Sequence, residues 1–294
     1  MPNPIQTWLL AARPKTLLAG ACPVIIGSVL AYMEGAFYLP AALAALLGAM
    51  CIQIGTNFCN DYFDFKQGAD TEERQGPTRA VQAGLISGKA MLTATIFMFA
   101  LAAACVAYLY TRVPGPPILI IGFISILCGI WYTAGRFSIG YLGLGDIFVL
   151  IFFGPVAVGG TFYVQAMGWN YWIGIASLPP GLLATAILVV NNLRDVDQDR
   201  AASKNTLAVR FGRRFVRVEY LLCLLGAAII PLLLMLYGWG WWLGACPLIL
   251  IPGFILFRTV CKETSGAKLN PVLGKTAGLL LLYTLIFSIA YLQG

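Results

Sequence analysis

The chain has 294 residues, 60% of them hydrophobic and 11% charged, with a formal net charge of +7. Water-soluble globular chains carry about 25% charged residues, so this composition excludes a soluble enzyme. It also turns the positive charge away from nucleic acid, because the cations fall between apolar blocks, where they set topology and meet anionic lipid or anionic substrate.

In chain order, apolar blocks predict membrane spans at residues 17–33, 39–59, 90–110, 117–134, 146–165, 172–191, 218–237, 241–257 and 273–292. Each approaches the roughly 20 residues that cross a hydrocarbon core of about 30 Å as a helix. The first is short, and Pro247 and Pro252 interrupt the eighth. No cleavable leader is expected, because Arg13 and Lys15 precede the first block and no convincing cleavage site follows. With the N-terminus placed in the cytoplasm, 18 of the 19 Lys and Arg fall on inside segments and only Arg112 falls outside. That bias predicts the orientation. Trp169, Trp172, Trp239, Trp241 and Trp242 gather at the opposite ends, as an interfacial aromatic belt would. The expected fold class is therefore an all-α integral membrane protein. It is a bundle of nine transmembrane helices forming a single domain over residues 1–294, multi-pass in a membrane, most simply the inner membrane of a bacterium.

Eight cysteines sit mostly within apolar blocks and form no metal-type pair, which predicts small buried hydrophobes without disulfides. The chain has no histidine, so the commonest general base and transition-metal ligand are missing.

Carboxylates are as unevenly placed as the cations. Eight of the 12 lie in two places, Asp61 to Glu73 after the second span and Asp195 to Asp199 after the sixth. Four spans separate the clusters, so both leave the membrane on the same side and read as a weak parallel repeat with two Asp-rich motifs at a cytoplasmic mouth. In the first, Asn60 and Asp64 are four apart and share a helix face, Asp61 is offset by about 100°, and Asp70 lies beyond Gly68, where the helix is expected to end. In the second, Asn191, Asp195 and Asp199 step by four along one stripe. Bare carboxylates so placed repel one another and resist leaving water. A hard divalent cation resolves both difficulties, and Mg²⁺ completes its shell with water and phosphate oxygens. Two facing stripes thus describe a diphosphate clamp. Arg74 and Arg79 after the first cluster, and Arg200, Lys204 and Arg210 after the second, are placed to hold phosphate oxygens. An ion pathway is the competing reading, but the other spans carry almost no charged or amide residues to relay an ion.

The stretches Arg13-Pro14-Lys15-Thr16-Leu17, Asn60-Asp61-Tyr62-Phe63-Asp64 through Asp70, Gly140 through Asp146 with Phe152-Phe153-Gly154, and Asn191 through Asp199-Arg200 with Lys204-Asn205-Thr206-Leu207 carry a resemblance over nearly the whole chain. They resemble the UbiA superfamily of intramembrane prenyltransferases, and within it the 1,4-dihydroxy-2-naphthoate polyprenyltransferases. The resemblance implies that Asn60, Asp64, Asp195 and Asp199 hold Mg²⁺. Many members carry Asp where this chain has Gly68, which leaves either Asp61 or Asp70 to complete the first site. It implies transfer of a polyprenyl group from an isoprenyl diphosphate to the naphthoate ring with loss of CO₂, on the route to a menaquinone- or phylloquinone-type quinone. Loss of CO₂ spares a proton-abstracting base, in keeping with the absence of histidine. Asp61, Asp64, Asp195 and Asp199 are then the candidate catalytic carboxylates. Arg74, Arg79, Lys204, Arg200 and Asn191 are candidate diphosphate contacts, and Tyr62, Tyr132 and Tyr141 are candidate cation-facing rings. Arg136 and Asp146, at the entry to the fifth span, are candidates for the aromatic substrate. The alternatives are another aromatic acceptor, such as 4-hydroxybenzoate or homogentisate, and, outside enzymes, a transporter of an anionic solute.

Overall fold

The computed structural model of the chain describes residues 3–68, 76, 78–135 and 138–294. Among them the architecture is all helical, in ten elements: α1 (Pro4–Ala12), α2 (Pro14–Met33), α3 (Leu39–Lys66), α4 (Gly88–Arg112), α5 (Pro116–Trp131), α6 (Gly145–Ala166), α7 (Tyr171–Ala201), α8 (Leu207–Leu236), α9 (Trp241–Lys262) and α10 (Gly266–Leu292). Eight are long and apolar enough to cross a membrane, and α5, at 16 residues, is the shorter ninth. The nine expected spans are all present. Their exposed faces carry large apolar side chains such as Phe123, Ile251 and Leu236, as lipid contact requires. The protein is a multi-pass integral membrane protein.

Helix punctuation follows local chemistry. Pro opens α1, α2, α3 and α5, where its missing N–H costs nothing. Gly68, at φ 71°, follows the last turn of α3, and its N–H returns to the Phe65 carbonyl. α1 was not expected as an element, since nine residues are too few to carry a span signal. It ends at Arg13, which is held at φ 52° and joins it to α2. Three helices depart from regular α geometry. α8 is broken at Gly212, whose φ of 80° and ψ of 173° are not helical. α6 contains a π-helical stretch, Phe152–Gly159, around Gly154 and Pro155. α9 begins as a 3₁₀ helix, Trp241–Ile249, containing Pro247.

Lipid tails are as apolar as leucine, so these helices associate by close packing rather than by excluding water. Small residues set the closest approaches. A Cβ on Gly27 of α2 would stand 2.4 Å from the Val158 carbonyl of α6, and one on Gly181 of α7 would stand 2.6 Å from the Leu150 carbonyl. The principal core joins α2, α6, α7, α8, α9 and α10, with α7 the most enclosed span. α3 and α4 pack together on the other side. The eight cysteines are free, six of them buried. Both α3 and α7 run on past the expected apolar limits, to Lys66 and Ala201, so both Asp clusters are helical throughout their described residues.

Candidate active site

The ends of α3 and α7 open on one cavity of about 480 Å³. Asn60, Asp61 and Asp64 reach it from α3, and Asn191, Asp195 and Asp199 from α7. The i, i+4 stripes read from the sequence line this space together. Five cations join them: Arg13 and Lys15 at the start of α2, Arg79 from the segment after α3, Arg194 on α7 and Lys204 after α7. Tyr132, Phe148, Phe152 and Phe153 supply aromatic walls. A smaller apolar cavity of about 170 Å³ shares Ile52, Gln53, Ser125, Phe152 and Phe153 with it and continues between α2, α3, α4, α5 and α6. The π-helical stretch of α6 puts Phe152 and Phe153 at the junction of the two.

Each cluster has one carboxylate under an arginine. Arg79 Nη2 lies 2.8 Å from Asp64 Oδ2, and both side chains are buried. Arg194 grips Asp195 with two bonds, Nε to Oδ1 at 2.7 Å and Nη2 to Oδ2 at 2.6 Å. The guanidinium also donates to Asn191 Oδ1 at 2.8 Å and to Asn270 Oδ1, on α10, at 3.0 Å. Such forked, charge-assisted bonds are the strong ones, and they neutralise carboxylates that would otherwise be costly to bury. Asp199 is held more loosely. Lys204 Nζ is 3.6 Å from its Oδ1, while Oδ2 is buried with no hydrogen-bond partner among the described residues. Asp199 also lies within electrostatic reach of both Asp64 and Asp195. Asn60 accepts a hydrogen bond from the Thr133 hydroxyl. All these metal-binding candidates are hard oxygens, and Asp199, with its orphaned oxygen, lines the same cavity. This oxygen set suits a hard divalent cation.

The structure places the remaining candidates as follows. Asn191, Tyr132, Arg79 and Lys204 line the cavity with the carboxylates. Tyr62 lies outside the lining, in a small apolar cluster with Phe58, Ala80 and Ile86, and edge-on to Phe63. Arg200 is on the exposed face of α7. Asp146 is buried in the first turn of α6, where the Thr185 hydroxyl of α7 meets its backbone carbonyl, and it too lies outside the lining. Arg210 binds the Leu142 carbonyl and so pins the glycine-rich stretch before α6. Asp70, Arg74 and Arg136 lie outside the described residues. The candidates missed in the sequence are Arg13, Lys15 and Arg194. Arg13 and Lys15 were treated as topology charges although they sit in a resemblance-bearing stretch. Arg194 was passed over although it directly precedes Asp195.

A helical bundle with paired acidic stripes, buried cations and an apolar annex defines a membrane-embedded prenyltransferase. The chain belongs to the UbiA prenyltransferase family, whose model matches residues 21–270. It is 38% identical to the 1,4-dihydroxy-2-naphthoate octaprenyltransferase of Escherichia coli, over 96% of this chain and 94% of that protein. It is 35% identical to the protein of the same name from Haemophilus influenzae, over 99% and 97%. Among solved structures, a UbiA homologue from Archaeoglobus fulgidus superposes with a TM-score of 0.69 at 16% identity, over 98% of this chain and all of that one. The same homologue bound to GPP and Mg²⁺ gives 0.67 at 17% identity, over 98% and 100%. At that identity the two structures speak for the fold.

Proposed function

We propose that this protein transfers a polyprenyl group from an isoprenyl diphosphate to 1,4-dihydroxy-2-naphthoate, within quinone biosynthesis. The observation that carries the reading is the single cavity in which both Asp stripes, five cations and an apolar annex converge. The names borne by the full-length relatives direct it to the naphthoate. Asn60, Asp64, Asn191, Asp195 and Asp199 would hold Mg²⁺, the ion present with GPP in the Archaeoglobus homologue. When bound, Mg²⁺ supplies positive charge against the diphosphate oxygens as they gain electrons.

The chain's own groups do the rest. Arg13, Lys15, Arg79, Arg194 and Lys204 hold and orient the diphosphate, and Arg and Lys donors stabilise charge where it develops as the allylic C–O bond breaks. Tyr132, Phe148 and Phe152 line the cavity and supply aromatic rings to stabilise the allylic cation. The apolar annex accepts the chain of isoprene units, and the enclosing helices keep water from the cation. The ring carbon bearing the carboxylate then supplies the electron pair of the new C–C bond. The carboxylate leaves as CO₂, and the electrons of its C–C bond restore the aromatic ring. Atoms balance as prenylated dihydroxynaphthalene, CO₂ and diphosphate, with no basic side chain required.

The chain reads as one membrane domain throughout, with the N-terminus and the cavity mouth in the cytoplasm of a bacterial cell. The bias of 18 of 19 cations to one side supports that orientation. The reading is tested by supplying purified protein with geranylgeranyl diphosphate, Mg²⁺ and, in parallel, 1,4-dihydroxy-2-naphthoate, 4-hydroxybenzoate and homogentisate. Product from the naphthoate alone supports it. Preferential use of either benzenoid acid overturns the acceptor assignment, and no product from any acceptor overturns the activity.

A further inference from the structure

The polar residues at the end of α3 fall on two neighbouring stripes with different partners. All four, Asn57, Asn60, Asp61 and Asp64, line the cavity, but Asn60 and Asp64 meet side chains there, Asn60 accepting from the Thr133 hydroxyl and Asp64 from Arg79. Asn57 and Asp61, also four apart, reach backbone groups from elsewhere in the chain. Asn57 Nδ2 donates to the Ala12 carbonyl at 2.9 Å and to Thr16 Oγ1 at 3.0 Å, and Thr16 Oγ1 in turn donates to the Arg13 carbonyl at 2.9 Å. This closes a latch around Arg13, whose φ of 52° is unfavourable for a residue with a side chain. Asp61 is more deeply buried than either Asp64 or Asp195, at 2% exposure. Its Oδ2 accepts the Ala80 N–H at 3.0 Å, and its Oδ1 accepts the Val81 N–H at 3.2 Å. Both oxygens are therefore engaged by the two residues that directly follow Arg79. Arg79 itself extends from this clamped turn to Asp64, 2.8 Å away.

We infer that Asp61 is a positioning residue rather than a metal ligand: it clamps the turn at residues 79–81 so that the Arg79 guanidinium stands beside Asp64 in the cavity. Asn57 serves the Arg13 segment in the same way. One helix end thus carries a stripe of cation ligands and, beside it, a stripe of tethers for the arginines. The inference rests on reading the cavity as a diphosphate site. It accounts for four adjacent polar residues on α3 without crowding all their oxygens onto one ion. A carboxylate suits the tether because backbone N–H bonds to a charged acceptor are stronger than those to a neutral one. An alanine or a hydroxyl at position 61 would leave buried N–H groups unpaired.

The test compares Asp61→Asn, Asp64→Asn, Arg79→Gln and the double variant Asp61→Asn/Arg79→Gln in the purified full-length protein. A tether predicts that Asp61→Asn raises the KM for geranylgeranyl diphosphate about 10-fold, in line with the loss of one hydrogen bond to a charged group. The Mg²⁺ concentration giving half activity stays at the native value, and it rises in Asp64→Asn. The double variant is no worse than Arg79→Gln alone, since both changes remove the same placed guanidinium. A readout independent of activity is trypsin cleavage after Arg79, followed by mass spectrometry, which should speed up in Asp61→Asn and not in Asp64→Asn. If Asp61→Asn does not purify as monodisperse protein, Asp61→Glu, which moves the carboxylate one methylene outward, carries the same comparison. The inference is overturned if half-activating Mg²⁺ rises in Asp61→Asn as it does in Asp64→Asn, if the two single effects multiply in the double variant, or if cleavage after Arg79 is unchanged. Native protein without prenyl transfer would instead sink the diphosphate reading, and the cleavage pattern would still decide the tether.

Discussion

Replacing Asp195 separates the electrostatic role of the second cluster from its structural role. Asp195 is buried and receives both arms of Arg194, at 2.7 and 2.6 Å. Asp195→Ala removes the carboxylate and leaves a buried guanidinium short of its counter-charge. Breaking one side of a buried pair typically costs about 3–5 kcal/mol. Arg194 keeps its bonds to Asn191 and Asn270, so the lower end, about 3 kcal/mol, is the expected loss. Asp195→Asn retains shape and one acceptor, and should cost about half of that or less, on the scale of a single charge-assisted bond. The charge is absent in both variants. Turnover should therefore fall by about 100-fold or more in each, as it does when one preorganised electrostatic contact is removed. The assay pairs initial rates at saturating substrates with thermal unfolding in detergent. Two near-equal rate losses with clearly unequal stability losses would support the reasoning. A near-native rate for Asp195→Asn would refute it, because the carboxylate charge would then be dispensable.

Other expectations follow from the same geometry. Turnover should vanish in excess chelator and return with Mg²⁺, because the described donors are oxygens; full activity in chelator would contradict this. Gly27→Val should destabilise the protein by at least about 2 kcal/mol, as overpacking does, because its Cβ would meet the Val158 carbonyl at 2.4 Å; native unfolding behaviour would refute the close helix contact. Sidedness is read from single cysteines at the exposed Ser203 and Glu34 in a background lacking the eight native ones. An impermeant thiol reagent on intact cells should label Glu34→Cys and reach Ser203→Cys only after the membrane is opened; the reverse pattern would refute the orientation.

Most of the bundle was legible because hydrophobic blocks and loop charge are direct physical signals. Spacing of four placed Asn60 with Asp64, and Asn191 with Asp195 and Asp199, and these stripes do meet in one cavity. Gly68 marked the end of α3 correctly, since a left-handed turn is easy for a residue without Cβ. What the sequence hid depends on contacts between distant segments. The donors to Asp61 are backbone groups 19 and 20 residues away, and no side-chain pattern marks them. Arg194 looked like one more inside charge until its fold-back onto Asp195 was visible. Asp146 sits beside a glycine-rich entry and looked like a contact for the aromatic substrate, but where α6 meets α7 it is buried outside the cavity lining. The 3₁₀ start of α9 and the π-helical stretch of α6 were signalled only by prolines, which announce irregularity without specifying its form.

The central claim is prenyl transfer with decarboxylation at the cavity shared by α3 and α7. It is tested most directly with 1,4-dihydroxy-2-naphthoate labelled in its carboxyl carbon, geranylgeranyl diphosphate and Mg²⁺, with released CO₂ and diphosphate counted together. The account predicts one CO₂ for each diphosphate released by the native protein, and neither above background in Asp195→Asn. Diphosphate release without CO₂, or CO₂ release that survives Asp195→Asn, would contradict it.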